Sequence, residues 1–207
     1  MDIPEDDVQE VIVVNNASTD DTAKVAAAHG ATVLSEAQSG YGNACLKGID
    51  YLKSLEPKTD IVVFLDGDYS DYPQQLPDLI APIREGNSDL VIGSRALGQR
   101  ESGSMTIPQI FGNWLATTLL RWFYGVKFTD LGPFRAIRYD KLLALGMEDK
   151  TYGWTVEMQL KAVKQGMHCS EVPVNYKRRI GVSKVSGTVK GTVLAGYKIL
   201  YTIFKYL

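Results

Sequence analysis

Asp66 and Asp68 are the residues of this sequence whose type and spacing point most directly to chemistry. They follow the apolar run Ile61–Leu65 with a single glycine between them. At an effective dielectric of about 20 and a separation of about 4 Å, two carboxylates repel each other by roughly 4 kcal/mol. A divalent cation removes that repulsion, and Mg²⁺ or Mn²⁺ is typically held by one or two carboxylates together with ligand phosphates. The spacing therefore indicates a metal–diphosphate site, the alternative being a solvated Asp-Gly turn in which the side chains diverge.

Two other loops carry groups that are able to contact a ligand. Residues 15–20 offer amide, hydroxyl and carboxylate groups, and Ser18 with Asp21 also fits a helix capping box, a role compatible with ligand contact. The run Gly40-Tyr41-Gly42-Asn43 opens a predicted helix, where small residues let the backbone approach a ligand closely. Each loop is a weak signal when taken alone.

The elements that must position these loops alternate between apolar runs and helix-forming segments. Strands are predicted at residues 11–14, 32–34, 61–65 and 90–93, and helices at residues 23–28, 41–55 and 73–84. Runs of Val, Ile and Leu without polar alternation are typical of strands buried on both faces, as in parallel sheets. In open α/β sheets ligands bind beyond the carboxyl ends of the strands. The sequence therefore predicts an α/β fold, with a mostly parallel sheet flanked by helices and the polar loops at one edge.

The second half of the chain is predicted to be richer in helix. Helices are expected at residues 107–124, 140–145, 154–165 and 188–207, a turn at 129–135, a strand at 168–174 and a basic loop at 177–187. The sequence contains no evident linker, repeat or low-complexity stretch. We expect one catalytic domain over residues 1–187 and an appended amphipathic helix over residues 188–207.

Composition excludes several classes of protein. The 207 residues are 45% hydrophobic and 22% charged, which is a soluble globular balance and not that of a disordered, collagenous or disulfide-rich chain. Cys45 and Cys169 lie far apart and match no zinc or redox motif, which favours a reducing compartment. The sequence has no run of 18 apolar residues, and its first ten residues are acidic, so neither a spanning helix nor a secretory signal is predicted. We therefore expect a cytoplasmic protein.

The net charge of −2 hides an asymmetry. Residues 161–207 carry nine Lys or Arg residues and one acid, so they sum to +8 and the remainder sums to −10. A basic end on an acidic body favours an anionic partner such as a phosphate or a lipid headgroup, although a solvated basic helix has the same composition. Nucleic acid is not the predicted partner, because the rest of the chain is acidic and no groove-reading motif is present.

Taken in order, the motifs resemble those of the family 2 glycosyltransferases of GT-A fold. The matching runs are VIVVNNASTDDT, SGYGNA, FLDGDYSDYP, VIGSR, FGN, TDLGPFRAIR, YGWTVEMQ and EVPVNYKRRIGVSKVSGT. They cover nearly the whole chain in colinear order and are most similar to bacterial relatives of polyprenyl- and dolichyl-phosphate sugar synthases. The resemblance implies a Rossmann-like GT-A sheet and a metal-dependent, inverting glycosyltransferase. Its donor would be a UDP- or GDP-linked sugar.

The resemblance also implies a role for each site residue. Asp66 and Asp68 become a DxD motif that binds Mg²⁺ or Mn²⁺, with Asp68 as the more direct ligand and Asp66 nearer the ribose or the metal's water shell. Charge that develops on the departing diphosphate would be stabilised there. The residues expected around the nucleotide are Asn15, Ser18, Gly42 and Asn43. Those expected on phosphate oxygens, where guanidinium groups can bind in a bidentate manner, are Arg95, Arg135, Arg179 and Lys184.

The acceptor determines whether a general base is needed. A lipid phosphate is already an anion near neutral pH and requires only positive surroundings, whereas a hydroxyl acceptor requires a base, for which Glu157 and Asp130 are the candidates. The abundance of basic residues favours transfer of a hexose to a polyprenyl-phosphate-type lipid carrier. A sugar or other hydroxyl acceptor remains an alternative, as does a truncated, non-catalytic module that binds a nucleotide sugar.

The two ends of the chain add two expectations. In the predicted helix 188–207, Lys190, Lys198 and Lys205 fall within an arc of roughly 80° opposite aromatic residues. That pattern suits peripheral contact with the inner face of a membrane, and equally suits packing on the protein's own domain. At the other end, the family's usual first strand is missing ahead of Val11, and Asn15 stands where an acid is usual, so the donor pocket is expected to be incomplete.

Overall fold

The polypeptide, examined as a computed structural model that describes residues 2–181 and 188–207, folds into alternating strands and helices. Their bounds are β1 Ile12–Asn16, α1 Thr22–Ala28, β2 Thr32–Glu36, α2 Tyr41–Ser54, β3 Ile61–Phe64, α3 Leu76–Arg84, β4 Leu90–Ser94, α4 Ile107–Tyr124, β5 Arg135–Arg138, α5 Tyr139–Leu145, α6 Trp154–Lys164, β6 Cys169–Pro173 and α7 Val189–Lys205. The predicted elements coincide with these to within a few residues. The exception is β5, which the sequence pattern does not predict.

The strands form two sheets. Strands β1 and β2 pair in parallel, while the larger sheet has the order β3-β5-β4-β6. Within it β4 and β6 are parallel, and β5 runs antiparallel to both β3 and β4. The α/β fold class is confirmed, and the larger sheet is mixed because β5 enters between two strands that run the other way. Strands β3, β4 and β6 therefore all end at one edge, called here the carboxyl edge.

Helices cover both faces of the larger sheet, which explains why β4, with the sequence LVIGS, is buried along its whole length. On one face, α3 contributes Leu79 and Ile80 to a core with Phe134. On the other face a larger core contains Trp154, whose ring meets that of Phe64 edge to face at 6.1 Å. Helix α2 also packs on β1 and β2, so it joins the smaller sheet to this second core.

Helices α4 and α7 pack against each other on the outside of the larger core. Helix α4 begins with a capping box formed by Thr106 and Gln109 and ends at Gly125 in the left-handed conformation. The Tyr124 hydroxyl donates to the Ile203 carbonyl at 2.7 Å, and the rings of Phe123 and Phe204 meet edge to face. Over residues 2–181 and 188–207, no helix is both long enough and apolar enough to cross a bilayer.

Candidate active site

The acidic loop that follows β3 lies at the carboxyl edge. Asp68 Oδ1 accepts a hydrogen bond from the Ser70 backbone N–H at 3.0 Å, which turns the chain sharply after the strand. The same turn places Tyr69 in the left-handed region, with a φ of 65°. Asp71 is buried in the loop, whereas Asp66 and Asp68 are half-buried. The loop thus presents three acids at one strand end, one more than the Asp-Gly-Asp spacing alone predicts.

Burial governs the electrostatics of these acids. The pKa of Asp66 is raised to about 6, first by burial and then by the charge of Asp68, while the guanidinium groups of Arg95 and Arg179 act in the opposite direction. Burial likewise raises the pKa of Asp71 to about 7, with Asp66 as the strongest neighbouring charge. Neither carboxylate oxygen of Asp71 has a hydrogen-bond partner among the described residues. The surrounding protein therefore stabilises the ionised forms of Asp66 and Asp71 poorly.

The segment after β6 crosses the acidic loop and brings Arg179 to it. The Lys177 N–H donates to the Ser70 carbonyl at 2.9 Å and the Ile180 N–H donates to the Asp68 carbonyl at 2.8 Å. These backbone bonds hold the Arg179 guanidinium 2.7 Å from Asp68 Oδ2. The structure thus brings together three of the predicted site residues, Asp66, Asp68 and Arg179. Lys184, expected nearby, lies outside the described residues.

Arg95 and Asp130 form a buried ion pair next to this cluster. Arg95 Nε and Nη2 donate to the two carboxylate oxygens of Asp130 at 2.8 and 2.7 Å, and the Arg95 backbone N–H donates to the same carboxylate. The Arg95 guanidinium also lies 5.0 Å from the centroid of the Tyr176 ring. Asp130 is 1% exposed. Its carboxylate is therefore committed to Arg95 and is not placed as a free base.

The loop that carries Asp130 is held by hydrogen bonds from three other elements, β6, α4 and α6. The sequence analysis does not identify the residues that make these bonds. Glu171 of β6 accepts from the N–H groups of Thr129 and Asp130 at 2.9 to 3.1 Å. Asn113 of α4 donates to the Thr129 carbonyl at 3.0 Å, and Gln159 of α6 donates to the Asp130 carbonyl at the same distance. The FGN and VEMQ runs contain Asn113 and Gln159, so the motifs carry a signal, but only the fold gives their partners.

Arg135 lies beneath the acidic loop and does not open onto it. The side chain is fully buried, and burial lowers its pKa to about 10. Its nitrogens donate to the carbonyls of Leu131, Gly132 and Thr155. Because these donors are committed to the backbone, the side chain ties the start of β5 to α6. The predicted contact with a phosphate oxygen is not part of this arrangement.

Glu157 is also buried, in a separate polar cluster under α7. Its carboxylate accepts from the backbone N–H groups of Glu148 and Asp149, from the Tyr206 hydroxyl at 2.9 Å, and pairs with Lys161 at 2.9 Å. Both carboxylate oxygens of Glu157 are thus occupied by these donors, and the side chain connects the loop after α5 to the end of α7. The structure does not bring Glu157 into contact with the acidic loop.

The predicted nucleotide-contacting residues of the first loop lie at the end of the smaller sheet. Asn15 Oδ1 accepts from the Ser18 N–H at 3.3 Å. The predicted capping box is wrong, because α1 begins at Thr22 and its first N–H groups are met by Asp20, whose Oδ1 accepts from the Thr22 N–H at 3.1 Å. Within the described residues, the Ser18 side chain does not cap α1.

Gly42 and Asn43 open α2 against the loop after α5. A side chain at Gly42 would place its Cβ 1.9 Å from the Asp149 carbonyl oxygen, and the Asn43 N–H donates to the Lys150 carbonyl at 3.0 Å. Gly42 therefore allows two backbone segments of the protein to pack closely. The sequence predicts close approach at this position too, but of a ligand. From the same helix Tyr41 faces inward, and burial together with the charges of Cys45 and Asp66 raises its pKa.

The donor set at the acidic loop suits a hard divalent cation. Carboxylate oxygens are the ligands that Mg²⁺ and Mn²⁺ prefer, and both carboxyl oxygens of the neighbouring Asp71 are buried without a hydrogen-bond partner among the described residues. Across the described part of the chain, no three His, Cys, Asp or Glu side chains are grouped to hold a metal by themselves. Asp66 and Asp68 therefore fit a cation that takes its remaining ligands from a bound diphosphate.

Known proteins resemble this chain in sequence and in fold. Residues 5–146 match the family described as glycosyl transferase family 2. An uncharacterized glycosyltransferase of Mycobacterium tuberculosis is 37% identical over 187 residues, which are 89% of this chain and 81% of the relative. The undecaprenyl-phosphate mannosyltransferase of Micrococcus luteus is 32% identical over 200 residues, with 91% and 79% of the two chains covered.

A solved structure shares the fold. Glucosyl-3-phosphoglycerate synthase of Mycobacterium tuberculosis, crystallised in complex with Mn²⁺, uridine-diphosphate-glucose and phosphoglyceric acid, superposes with a TM-score of 0.72 at 22% identity. The match covers 96% of this chain and 69% of that one. The fold is thus of GT-A type, and the family match identifies a glycosyltransferase. Within that class, the chain belongs to glycosyl transferase family 2.

Proposed function

We propose that this glycosyltransferase moves a hexose from a nucleotide-diphosphate sugar, UDP- or GDP-linked, to a polyprenyl-phosphate-type lipid carrier, with inversion at the anomeric carbon. The observation that carries the proposal is the acid pair Asp66 and Asp68 at the carboxyl edge, flanked by Arg95 and Arg179. The undecaprenyl-phosphate mannosyltransferase named above supports the lipid acceptor. The nucleotide sugar seen in the structural neighbour supports the donor.

Asp66 and Asp68 would hold Mg²⁺ or Mn²⁺ against the donor diphosphate. When bound, the cation supplies positive charge that stabilises the departing nucleoside diphosphate. Asp68 is now neutralised by Arg179 at 2.7 Å. With Asp68 engaged as a ligand, the Arg179 guanidinium would be free to bind the diphosphate oxygens, which its planar fork suits well. Asn15, Ser18 and the opening of α2 are the groups proposed to surround the nucleoside.

The acceptor assignment depends on what the buried carboxylates already do. A hydroxyl acceptor needs a base within hydrogen-bond reach. Asp130 is committed to Arg95, and both oxygens of Glu157 are committed to four donors under α7. A phosphate acceptor needs no base, because one of its ionised oxygens forms the new bond to the anomeric carbon while the bond from that carbon to the diphosphate breaks. The commitments of Asp130 and Glu157 therefore favour the lipid phosphate.

Peripheral contact with a membrane is the second part of the proposal. The outer face of α7 exposes Val193, Tyr197 and Tyr201, and α4 beside it exposes Trp114 and Trp122. Apolar and aromatic side chains on adjacent helices form a patch of the kind that inserts at a bilayer interface. A soluble nucleotide sugar and a membrane-held acceptor would then meet at this surface.

Transfer of label tests the proposal. The protein is incubated with radiolabelled UDP-glucose or GDP-mannose, Mn²⁺ and either a short polyprenyl phosphate or a polyprenol with a free hydroxyl. Label from one donor should enter the organic phase with the phosphate only, and Asp68→Asn should abolish it while Asp78→Asn, an exposed aspartate of α3, does not. Transfer to the free alcohol alone would contradict the lipid-phosphate assignment. Donor binding without transfer to either acceptor would favour the non-catalytic binding module.

A further inference from the structure

A cavity of about 380 Å³ lies between α4 and the loop after β4, and the acidic loop does not line it. Its lining includes the half-buried Thr129 and the buried Asp130, together with the exposed side chains of Arg100, Arg121 and Trp114. Apolar surface is added by Met105, Ile110 and Phe128. The volume is near the lower end of the range of about 300–1,000 Å³ that small-molecule sites occupy. The space therefore suits a headgroup and a short stretch of chain.

The topology places this cavity beside the reaction centre. Strands β3 and β4 both end at the carboxyl edge with only β5 between them. Because neighbouring strands are about 4.8 Å apart, the ends of β3 and β4 are separated by roughly 10 Å. Side chains bridge that separation, since Arg95 pairs with Asp130 at the cavity and also lies over Tyr176, whose backbone bridges to Asp71. The Arg95–Asp130 pair therefore lies between the cavity and the acidic loop.

Two guanidinium groups give the cavity its charge. Neither Arg100 nor Arg121 pairs with a carboxylate within residues 2–181 and 188–207, and the one polar contact of the Arg100 guanidinium is to Met105 Sδ at 3.5 Å. The acid in the wall, Asp130, is already neutralised by Arg95. The cavity therefore carries an excess of positive charge, and planar guanidinium forks bind phosphate oxygens particularly well.

The outer end of the cavity continues into an apolar surface. Trp114 is 58% exposed and Ile110 is 43% exposed, and both line the cavity while also facing outward. Phe111, next along α4, is exposed too, and its ring lies 5.7 Å from that of Trp114. A hydrocarbon chain that leaves the cavity would lie along this face and cover it. Positive charge inside and apolar surface at the mouth together match an amphiphile with an anionic head.

We propose that this cavity binds the acceptor, a long-chain phosphate monoester, with its phosphate between Arg100 and Arg121 and its first carbons against Trp114 and Ile110. The assignment rests on the proposed function for the identity of the acceptor. The binding itself needs neither the donor nor the cation. It can therefore be tested separately from transfer.

Calorimetric binding of a matched set of probes tests the assignment. The probes are dodecyl phosphate below its critical micelle concentration, butyl phosphate, inorganic phosphate and neutral dodecyl maltoside, each titrated into the full chain in EDTA. Dodecyl phosphate should bind at least tenfold more tightly than any of the others. Arg100→Gln/Arg121→Gln should weaken it at least tenfold. The double variant Arg84→Gln/Arg138→Gln, which removes the same charge from exposed positions elsewhere, should leave it unchanged.

Trp114→Ala tests the apolar part of the site separately from the arginines. The variant should bind dodecyl phosphate only as tightly as it binds butyl phosphate. Equal binding of dodecyl phosphate to wild type and to Arg100→Gln/Arg121→Gln would overturn the assignment. Equal affinity for dodecyl phosphate and inorganic phosphate would also overturn it, because it would indicate a simple anion site. Equal affinity for dodecyl phosphate and dodecyl maltoside would overturn it as well, because it would indicate a simple apolar patch. Circular dichroism melts confirm that each variant is folded, as the exposure of both arginines leads us to expect.

Mn²⁺-dependent binding of UDP-glucose and GDP-mannose to Arg100→Gln/Arg121→Gln separates this assignment from the proposed function. A variant that keeps donor binding but loses dodecyl phosphate supports the cavity as the acceptor site. A wild-type protein that binds a donor but not dodecyl phosphate refutes the cavity and leaves the donor chemistry intact. Specific binding of dodecyl phosphate without any donor binding would leave the cavity assigned and remove the proposed transferase reaction.

Discussion

Replacing Asp71 with asparagine should stabilise the metal-free protein, and more so at high pH. Asp71 is 1% exposed, its carboxylate has no hydrogen-bond partner among the described residues, and its pKa is raised to about 7. The unfolded chain releases this proton near its ordinary pKa of about 4, whereas the folded protein keeps it until about pH 7. The folded state therefore binds more protons over that interval. The free energy of unfolding falls as the pH rises through it.

The size of the effect follows from the pKa of Asp71. One pKa unit corresponds to about 1.4 kcal/mol, so keeping Asp71 protonated in the fold while the unfolded chain has released the proton removes about 3 kcal/mol of stability between pH 5 and pH 7. Asparagine has a similar shape and no charge, so the variant lacks this loss. The advantage of Asp71→Asn over wild type should be about 3 kcal/mol larger at pH 8 than at pH 5, or roughly 6–12 °C in melting midpoint for a chain of this length.

Urea unfolding at pH 5 and pH 8, followed by circular dichroism in EDTA, measures this difference. Asp78→Asn is the matched control, because Asp78 is an exposed aspartate of α3, and it should leave the wild-type pH dependence unchanged. An Asp71→Asn variant whose free energy of unfolding differs from wild type by the same amount at both pH values would refute the uncompensated buried charge. A variant that is less stable than wild type at pH 8 would refute it as well.

Three further substitutions test the supporting contacts. Asp130→Asn leaves the buried guanidinium of Arg95 without its counter-charge and should lower the free energy of unfolding in urea by about 3–5 kcal/mol. Glu157→Gln should cost about 2 kcal/mol in the same assay, because charge-assisted bonds to two backbone N–H groups are weakened, and it should leave the pH profile of transfer unshifted. Gly42→Ala should lower the melting midpoint, since its Cβ would meet the Asp149 carbonyl, whereas Gly48→Ala, with only ordinary contact, should not.

The sequence predicts most elements because their patterns are local. Strand β4 is a continuous apolar run and helix α4 has a capping box and a terminal glycine, so both are recognisable without their partners. Strand β5 is only four residues long, with an arginine at each end. Nothing in such a stretch predicts a central strand, because its first arginine is buried by bonds to carbonyls contributed from other segments.

The same distinction applies to the site. Asp66 and Asp68 follow from their spacing after an apolar strand, whereas the ion pair of Arg179 with Asp68 is seen only in the fold, because the basic loop by itself predicts contact with a phosphate. Glu157 illustrates what the sequence does not contain. Its residue type suits a base, but its partners come from a distant loop and from the last turn of α7, and only the folded chain brings these together. The roles proposed for Asn15 and Gly42 toward a nucleoside remain predictions.

Calorimetric titration of UDP-glucose and GDP-mannose, each with Mn²⁺ and with EDTA, measures whether the carboxylates at the end of β3 bind a sugar nucleotide through a divalent ion. At least one of the two should bind to wild type at least tenfold more tightly with Mn²⁺ than with EDTA, and Asp68→Asn should remove that difference. Equal affinity with and without the ion in both proteins, or no binding of either nucleotide in the presence of Mn²⁺, would contradict the account.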